Sequence, residues 1–553
     1  MNPSSSMKRI FFLLIIFSEA CFAQKLKKAD KVILQNLKSH IGFLADDKLE
    51  GRRAGSAGEK LASDYLVNQF KSAGLSPAGA SGTYLQPFEV SEGKQILKTS
   101  MFRVNQHELV MGTDYFPLAY SPNSPIIEAM VSPSLAETGQ PWFKDIGDIL
   151  LNNKENPHFD LEAQLRIEIK NATEKGAKAL VFFNTSNLPD QIKFDPKDKS
   201  ETAPIPVLYL TSAAKEKYIK DLSEAYDTKL KIDIGPKTRP ANNVVGYIDN
   251  GADKTIVLGA HFDHLGYGED GNSMMRTGEK MIHNGADDNA SGTAALLELA
   301  KLIKKTKSPK NNYLFIAFSG EELGLYGSKY FVENPTISLD KVNYMINMDM
   351  VGRLNDSSKT ITVGGFGTSP SWNEILYGVK KPGFNIKVDS SGTGPSDHTS
   401  FYRKNIPVLF FFTGLHTDYH RPSDDADKIN YIGELQIVNY INTVVIKSQD
   451  LGKLSFLKTR EQQTSTSARF SVSMGIMPDY TFSGAGVRVD GVSDGRPAIK
   501  AGIKTGDIVT QLGEYKINSV ESYMQALGKF KKGDATKVIV KRGAEEKTFD
   551  IVF

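Results

Sequence analysis

The chain of 553 residues is too long for one ordinary domain, so two or three domains are expected. Apolar residues make up 40% of the sequence and charged residues 24%, which describes a globular protein. The net charge of +3 is small for this length, so composition gives no reason to expect a nucleic-acid partner.

The N-terminal segment 1–23 has the pattern of a signal peptide. Two basic residues precede an apolar stretch at 10–17, which is too short for stable insertion across a bilayer. Small residues at the −3 and −1 positions predict cleavage before Gln24. Cleavage would remove Cys21, the only cysteine, and a chain without thiols suits a secreted or periplasmic protein. A membrane anchor or a lipid on Cys21 is the alternative.

Residues 24–97 predict two amphipathic helices around a polar turn at 49–56. The turn contains Arg52 and Arg53. Such arginines are expected to pair with a carboxylate and fix the turn, and contact with a substrate is the alternative. From 98 to 235 the apolar runs become short, and Pro, Asn and Ser are frequent, so a small β-rich insert is predicted there.

Three strongly apolar runs within 236–450 predict buried strands. Residue types that bind metals follow them: His261 and Asp263 after the first run, Glu321 and Glu322 after the second, and Asp349 after the third. Near-continuous apolar strands separated by helical patterns predict an α/β fold with a parallel sheet covered on both faces. Because ligands of such sheets bind at the carboxyl ends of the strands, a functional site is expected there.

A polar turn at 283–292 carries the adjacent carboxylates Asp287 and Asp288, and it leads directly into a helical pattern at 293–303. These ordered blocks resemble the co-catalytic di-zinc aminopeptidases, exopeptidases with an α/β sheet and two bridged zinc ions. The resemblance covers 33–89 and 242–440. It implies a catalytic domain built from 24–97 and 236–450, with a mixed, mainly parallel sheet flanked by helices.

The resemblance also assigns the metal ligands. Asp288 would bridge two zinc ions, because a carboxylate offers one oxygen to each, and the peptide bond after it is expected to be cis. His261 and Asp349 would complete one zinc site. Glu322 and His420 would complete the other.

Glu321 is expected to be the general base, because adjacent side chains at a strand end point apart and its neighbour Glu322 binds metal. Glu321 would take a proton from the attacking water and pass it to the leaving amine. Asp263 shares a strand face with His261, so it is expected to accept the second ring N–H of that imidazole and fix its tautomer. Asp287 is then a neighbour of the bridge and not a ligand.

Four further polar residues lie in or near these blocks. His264 and His283 are expected either behind the ligands or at the surface. Asp397 and His398 stand in a block that the family uses to shape its substrate pocket, and contact with a ligand is left open. The apolar run 408–413 is expected to be a buried core strand, and a hydrophobic specificity pocket is the alternative.

The C-terminal part predicts a linker at 451–468, with a mobile stretch at 461–467, and a separate domain at 469–553. Residues 496–509 resemble the bacterial PDZ signature. The loop with Met474, Gly475 and Ile476 is similar to the one that holds a C-terminal peptide, which would add as a strand beside it. By its texture, the insert at 98–235 resembles a protease-associated (PA) domain.

The sequence therefore predicts a secreted or periplasmic aminopeptidase with two zinc ions, which removes residues from the N-termini of peptides or proteins. A glutaminyl cyclase, an acyltransferase of similar fold with one zinc ion, is the alternative enzyme. A non-catalytic peptide-binding module with PA and PDZ domains is the alternative outside enzymes.

Overall fold

The protein is described by a computed structural model, which covers residues 26–553 except 157–158, 199, 276, 278, 308, 380–381, 460–471, 479–484, 493–494 and 519. The predicted signal peptide 1–23 lies outside these described residues. Within the described part, no helix has both the length and the apolar character needed to cross a membrane.

Helices and strands alternate along most of the described chain. The helices are α1 (Lys28–Leu44), α2 (Ala57–Ser72), α3 (Gly147–Asn153), α4 (Leu161–Glu174), α5 (Ser212–Tyr218), α6 (Gly292–Lys304), α7 (Tyr326–Glu333), α8 (Ser371–Tyr377), α9 (His398–Tyr402), α10 (Tyr431–Lys447), α11 (Pro497–Ala501) and α12 (Val520–Leu527).

The strands are β1 (Ser76–Pro77), β2 (Leu85–Ile96), β3 (Met101–Val104), β4 (His107–Glu108), β5 (Tyr115–Pro117), β6 (Ile127–Val131), β7 (Pro141–Asp145), β8 (Ala179–Phe183), β9 (Val207–Leu210), β10 (Tyr226–Lys231), β11 (Ile234–Ile248), β12 (Thr255–His261), β13 (Asn312–Phe318), β14 (Val342–Met348), β15 (Thr360–Gly364), β16 (Asn385–Val388), β17 (Val408–Phe412), β18 (Ile476–Pro478), β19 (Val487–Val492), β20 (Ile508–Leu512), β21 (Tyr515–Lys516), β22 (Ala535–Arg542) and β23 (Glu545–Val552).

The chain forms two compact units, of which the second comprises Ala54–Ser63 and Gly79–Asn243. In the first unit the main sheet has the strand order β1–β11–β13–β12–β14–β17–β15–β16. The four neighbours β13, β12, β14 and β17 are parallel, whereas β1, β11 and β15 run antiparallel to at least one neighbour. The predicted mixed, mainly parallel α/β sheet is therefore confirmed.

Every residue of β12, β13 and β14 is buried, which explains why these strands are apolar along their whole length. Helices α1, α6 and α10 pack together, and α6 also packs on these three strands. Helices α7 and α9 contribute Phe331 and Phe401 to an apolar cluster with Leu314 and Met345 of the sheet. Because the three strands are parallel neighbours, the residues that follow them meet at one edge of the sheet.

The second unit contains two sheets, with strand orders β4–β3–β10–β6 and β5–β9–β8–β7. It is β-rich, as the texture of 98–235 predicts, but it also includes Ala54–Ser63, and its main segment runs from Gly79 to Asn243. The reason is that the N–H of Lys94 donates to the carbonyl of Pro196, and the N–H of Leu97 donates to that of Asp233. Its assignment as a PA domain stays a prediction.

The C-terminal strands β18–β19–β20–β22–β23 form a sheet, with β21 paired to β20, around an apolar core of their own. Gly502 ends α11 in the left-handed conformation, with φ 89°, which favours glycine. Gly475 has φ 79° and lies in the predicted peptide loop, where its N–H donates to Ser473 Oγ.

Residues 451–459 contact β14 and α9 within the first unit, so the linker predicted at 451–468 does not begin at Leu451. Leu454 is buried, and its N–H donates to Asn343 Oδ1 at 2.7 Å. Thr459 bonds to the hydroxyl of Tyr402. Apolar side chains explain why this stretch is packed and not a linker. Leu454 is buried, and Phe456 packs against the apolar cluster that covers the sheet. The stretch 461–467, predicted to be mobile, lies outside the described residues.

A buried polar cluster joins α1, α2 and α6. Glu298 is 2% exposed and accepts hydrogen bonds from Lys301 Nζ at 2.7 Å and Asn36 Nδ2 at 3.1 Å. His40 lies 3.2 Å from the same carboxylate and 2.7 Å from the hydroxyl of Tyr65. Burial alone would raise the pKa of Glu298, but its bonds to His40 and Lys301 lower it.

We expect Glu298→Ala to lower the free energy of unfolding of this unit by about 2–4 kcal/mol, because it leaves buried donors without an acceptor. Calorimetric melting of the full chain measures the loss. The control is Glu333→Ala, at the exposed end of α7, with an expected change within about 0.5 kcal/mol. Equal losses in the two variants would contradict the role of the cluster.

Candidate metal centre

The parallel strands bring the predicted ligands together at one edge of the sheet. His261 is the last residue of β12, and Asp349 directly follows β14. Glu321 and Glu322 follow β13, which pairs in register with β12. The side chains of these residues are between 1% and 13% exposed, so the centre is largely closed to solvent.

The turn that carries Asp288 is shaped by glycines. Gly285 has φ 55°, and a Cβ there would lie 2.1 Å from the carbonyl oxygen of Asp288. A Cβ on Gly292 would lie 2.4 Å from the carbonyl oxygen of Met348, so the turn approaches β14 too closely for a side chain. The peptide bond between Asp288 and Asn289 is cis, which confirms the expectation from the sequence.

The two carboxylate oxygens of Asp288 face two different histidines. Oδ1 lies 3.5 Å from His261 Nε2, and Oδ2 lies 3.2 Å from His420 Nε2. Asp349 Oδ1 lies 3.3 Å from His261 Nε2, and Glu322 Oε2 lies 3.2 Å from His420 Nε2. The structure thus brings together all five predicted ligands, as two groups that share Asp288.

These groups fit a metal by their donor atoms. His261, Asp288 and Asp349 each offer one atom, and the three atoms lie within 4.8 Å of one another. Asp349 Oδ1 is buried and has no hydrogen-bond partner among the described residues. Imidazole nitrogens and carboxylate oxygens are the atoms that zinc accepts, so this set suits a zinc ion.

His264 also belongs to this site. It is 2% exposed, which excludes the surface position left open by the sequence, and its Nδ1 lies 2.8 Å from Glu322 Oε1. With Asp288 and Glu322 it forms a second group of three potential ligands. The signal in the sequence was its place in the block from His261 to His264.

The electrostatics of the two glutamates differ. Burial raises the pKa of Glu321 well above its ordinary value, and the neighbouring carboxylates Asp349 and Glu322 raise it further. For Glu322, burial acts in the same direction, but His420 and His264 outweigh it and lower the pKa well below its ordinary value. Glu321 is therefore the carboxyl group of the pair that holds a proton more readily, as a general base requires.

Asp263 lies behind His261 and is fully buried. The Nδ1 of His261 lies 3.2 Å from the backbone carbonyl of Asp263 and 3.7 Å from its Oδ1. The sequence predicts that the Asp263 carboxylate accepts the second ring N–H of His261. In the structure the backbone carbonyl of Asp263 is the closer oxygen. Asp263 Oδ1 instead accepts the backbone N–H of Glu321 at 3.2 Å, so it also positions the general-base candidate.

Asp397 and His398 are both buried next to this centre. Burial raises the pKa of Asp397 to about 7 and lowers that of His398 to about 3. The ring of His398 stacks on Phe410 at 4.4 Å. Along β17, residues 408–411 are buried, which agrees with the core strand predicted there, and Phe412 is partly exposed. Contact of Asp397 or His398 with a ligand stays a prediction.

Two further residues lie behind the bridge, and neither was given a role from the sequence. His416 Nε2 lies 3.1 Å from Asp287 Oδ2, which places Asp287 beside the bridge as a neighbour. Asp424 accepts the backbone N–H groups of Asp287 and Asp288. Burial and the charge of Asp287 raise the pKa of Asp424 to about 6. The only sequence feature that pointed to His416 and Asp424 was their position among the histidine and aspartate residues around His420.

The sequence predicts that Arg52 pairs with a carboxylate and fixes the turn. In the structure Arg52 holds the metal-site turn through backbone carbonyl groups instead. It is fully buried, and its guanidinium donates to the carbonyls of Leu44, Phe262, Asn284 and Gly285. Arg53 does follow the prediction, because it forms a two-pronged ion pair with Asp270, at 2.7 and 2.9 Å.

His283 is fully buried as well, with its Nε2 2.7 Å from Ser273 Oγ and its Nδ1 3.0 Å from the carbonyl of Met281. The surface position that the sequence left open for it is therefore wrong.

Comparison with known proteins gives two family matches. Residues 243–445 match Peptidase family M28, and residues 459–552 match the PDZ domain. Aminopeptidase YwaD of Bacillus subtilis is 26% identical over 58% of this chain and 67% of its own length. Leupeptin-inactivating enzyme 1 of Streptomyces exfoliatus is 32% identical, over 29% of this chain and 37% of its own length.

Two solved structures were also found. A zinc aminopeptidase from Bacillus subtilis is 20% identical, with a TM-score of 0.42 over 76% of this chain and 95% of its own. A glutaminyl cyclase from Porphyromonas gingivalis is 12% identical, with a TM-score of 0.39 over 75% and 98%.

The adjacent arginines Arg52 and Arg53 provide a matched test. We expect Arg52→Lys to lower the free energy of unfolding by about 2–4 kcal/mol, because one ammonium group cannot reach four buried carbonyls. Arg53→Lys keeps one charged contact with Asp270 and is expected to lose less than about 1 kcal/mol. Thermal melting of both variants measures the two losses. An Arg52→Lys protein as stable as Arg53→Lys would contradict the role of Arg52 in holding the turn.

Proposed function

Residues 243–445 form a domain of peptidase family M28 and residues 459–552 a PDZ domain, and from this premise we propose that the protein is a zinc-dependent aminopeptidase. The observation that carries the proposal is the arrangement of Asp288, whose two oxygens face His261 and His420 separately. One carboxylate between two sets of ligands is the arrangement that a pair of metal ions requires.

We propose two zinc ions per chain. His261 and Asp349 would hold one ion and Glu322 and His420 the other, with Asp288 shared between them. His264 supports the second site from behind, because its contact with Glu322 orients that carboxylate. Bound zinc supplies a Lewis acid that polarises the scissile carbonyl and makes a water more acidic.

The chain's own residues then move the proton. Glu321 lies 3.9 Å from His261 Nε2, so its carboxylate is beside the ligands without being one of them in the proposed set. It accepts the proton of the attacking water and delivers it to the departing amine, which balances the hydrolysis of one peptide bond. Asp263 holds the backbone of Glu321 in place.

A glutaminyl cyclase remains the alternative enzyme, and a peptide-binding module without catalysis is the alternative outside enzymes. Two complete sets of ligands favour hydrolysis over a single-zinc acyltransferase. Metal content and reaction products distinguish the three hypotheses. An aminopeptidase would contain two zinc ions and hydrolyse amides, a glutaminyl cyclase would contain one and cyclise its substrate, and a binding module would contain none.

We further propose that the chain is exported after cleavage before Gln24, and that the second unit is a PA domain. The PDZ domain would bind a C-terminal peptide at Met474, Gly475 and Ile476. The support for the last proposal is Gly475, whose left-handed backbone, with φ 79°, turns the chain between Ser473 and β18.

We expect the purified mature protein to remove the first residue from peptides with a free α-amine and to leave Nα-acetylated copies of the same peptides intact. Zinc analysis should give two ions per chain, and a chelator should abolish turnover until zinc is returned. Mass spectrometry of the digests reads the outcome. Cleavage of internal peptide bonds, or full activity after zinc removal, would contradict the proposed zinc-dependent aminopeptidase activity.

Glu321→Gln is expected to lower kcat by about 100- to 10,000-fold, because the amide cannot accept the proton. Zinc content should stay at the wild-type level. The control is Glu269→Gln, a partly exposed carboxylate on the loop after His264, which should keep wild-type turnover. Unchanged kcat in Glu321→Gln would remove the general-base assignment.

A further inference from the structure

Three consecutive backbone N–H groups of the metal-site turn converge on one residue, Asp424. The N–H of Ala286 donates to its backbone carbonyl at 3.0 Å. The N–H groups of Asp287 and Asp288 both donate to its Oδ2, each at 3.0 Å. Asp424 has no exposed surface, so water does not compete for these bonds.

The contact joins two distant parts of the chain. Asp424 lies four residues after His420, so its carboxylate links the turn of Asp288 to the segment that carries this histidine. It does not belong to either group of potential metal ligands in the described residues. Asp424 therefore acts on the centre through the backbone N–H groups of the turn.

The other side of the turn is fixed by a different set of bonds. The N–H of Gly352 donates to Asp287 Oδ1 at 2.7 Å, and the N–H of Met350 donates to Asn289 Oδ1 at 3.1 Å. These bonds tie the turn to the segment after Asp349. Asp424 supplies the corresponding tie toward His420, so the two sets hold the bridging residue between both halves of the centre.

We propose that Asp424 is a positioning residue that sets the direction of the Asp288 carboxylate, so that its second oxygen reaches the site of His420 and Glu322. The N–H that Asp424 accepts belongs to Asp288 itself, and fixing it fixes the Cα–Cβ bond of the bridge. This inference rests on the proposed zinc centre. It concerns the position of an acceptor oxygen and not the negative charge of Asp424.

Two conservative variants separate position from charge. Asp424→Asn keeps one acceptor oxygen for both N–H groups and removes the charge, so we expect zinc affinity within about threefold of wild type. Asp424→Glu keeps the charge but moves the acceptor by one methylene, and we expect the zinc of the His420 site to bind about 10- to 100-fold more weakly. Asp424→Ala removes the acceptor and should resemble Asp424→Glu.

The measurement is titration of the full-length apoprotein with zinc in competition with a chromophoric chelator, with folding checked by circular dichroism. The control is Glu298→Ala, which removes another buried, hydrogen-bonded carboxylate of the same unit. Glu298 lies on α6 after the turn, and its partners Lys301, Asn36 and His40 are not among the proposed ligands. The control variant should lower the melting temperature without changing zinc affinity, which separates positioning from a general loss of stability.

The inference is overturned if Asp424→Glu binds zinc as tightly as wild type, or if Asp424→Asn weakens binding as much as Asp424→Glu. An equal loss in Glu298→Ala would also overturn it. Wild-type protein that binds no zinc would instead refute the proposed function. Asp424→Asn has the size of the original side chain and Asp424→Glu adds one methylene. Circular dichroism checks the fold of each variant, so the test does not depend on Asp424→Ala alone.

Discussion

The arrangement of the metal centre is constrained by electrostatic repulsion among its buried carboxylates. Asp288, Glu321, Glu322 and Asp349 meet at one edge of the sheet with little access to water, where like charges interact strongly. The fold opposes this repulsion with imidazoles and with oriented backbone N–H groups. Asp349 Oδ1, which has no hydrogen-bond partner among the described residues, lies 3.3 Å from one of these imidazoles, that of His261.

The strand pattern made the position of the site predictable. Buried parallel strands must be apolar throughout, so a histidine or carboxylate directly after each one is visible in the sequence. The resemblance to the di-zinc aminopeptidases then assigned the five ligand candidates and the cis bond after Asp288. For His261, Glu322 and Asp349, which follow parallel strands, separation along the chain does not matter, because the sheet brings the strand ends together.

The residues behind the ligands were not predictable in the same way. Arg52 and Asp424 act on backbone carbonyl and N–H groups, which every residue has, so no side-chain pattern reveals their partners. His416 meets Asp287 across 129 positions of sequence. The extent of the second unit and the packing of 451–459 likewise depend on backbone bonds, such as those of Lys94 and Leu454, and not on composition.

The shared carboxylate also has a thermodynamic consequence. If two cations use the same side chain, occupation of one position changes the orientation and charge that the other position encounters. Their affinities are then coupled, and by reciprocity each ion alters the binding of its neighbour by the same factor. Partial loading of such a centre would therefore not be a mixture of two independent equilibria.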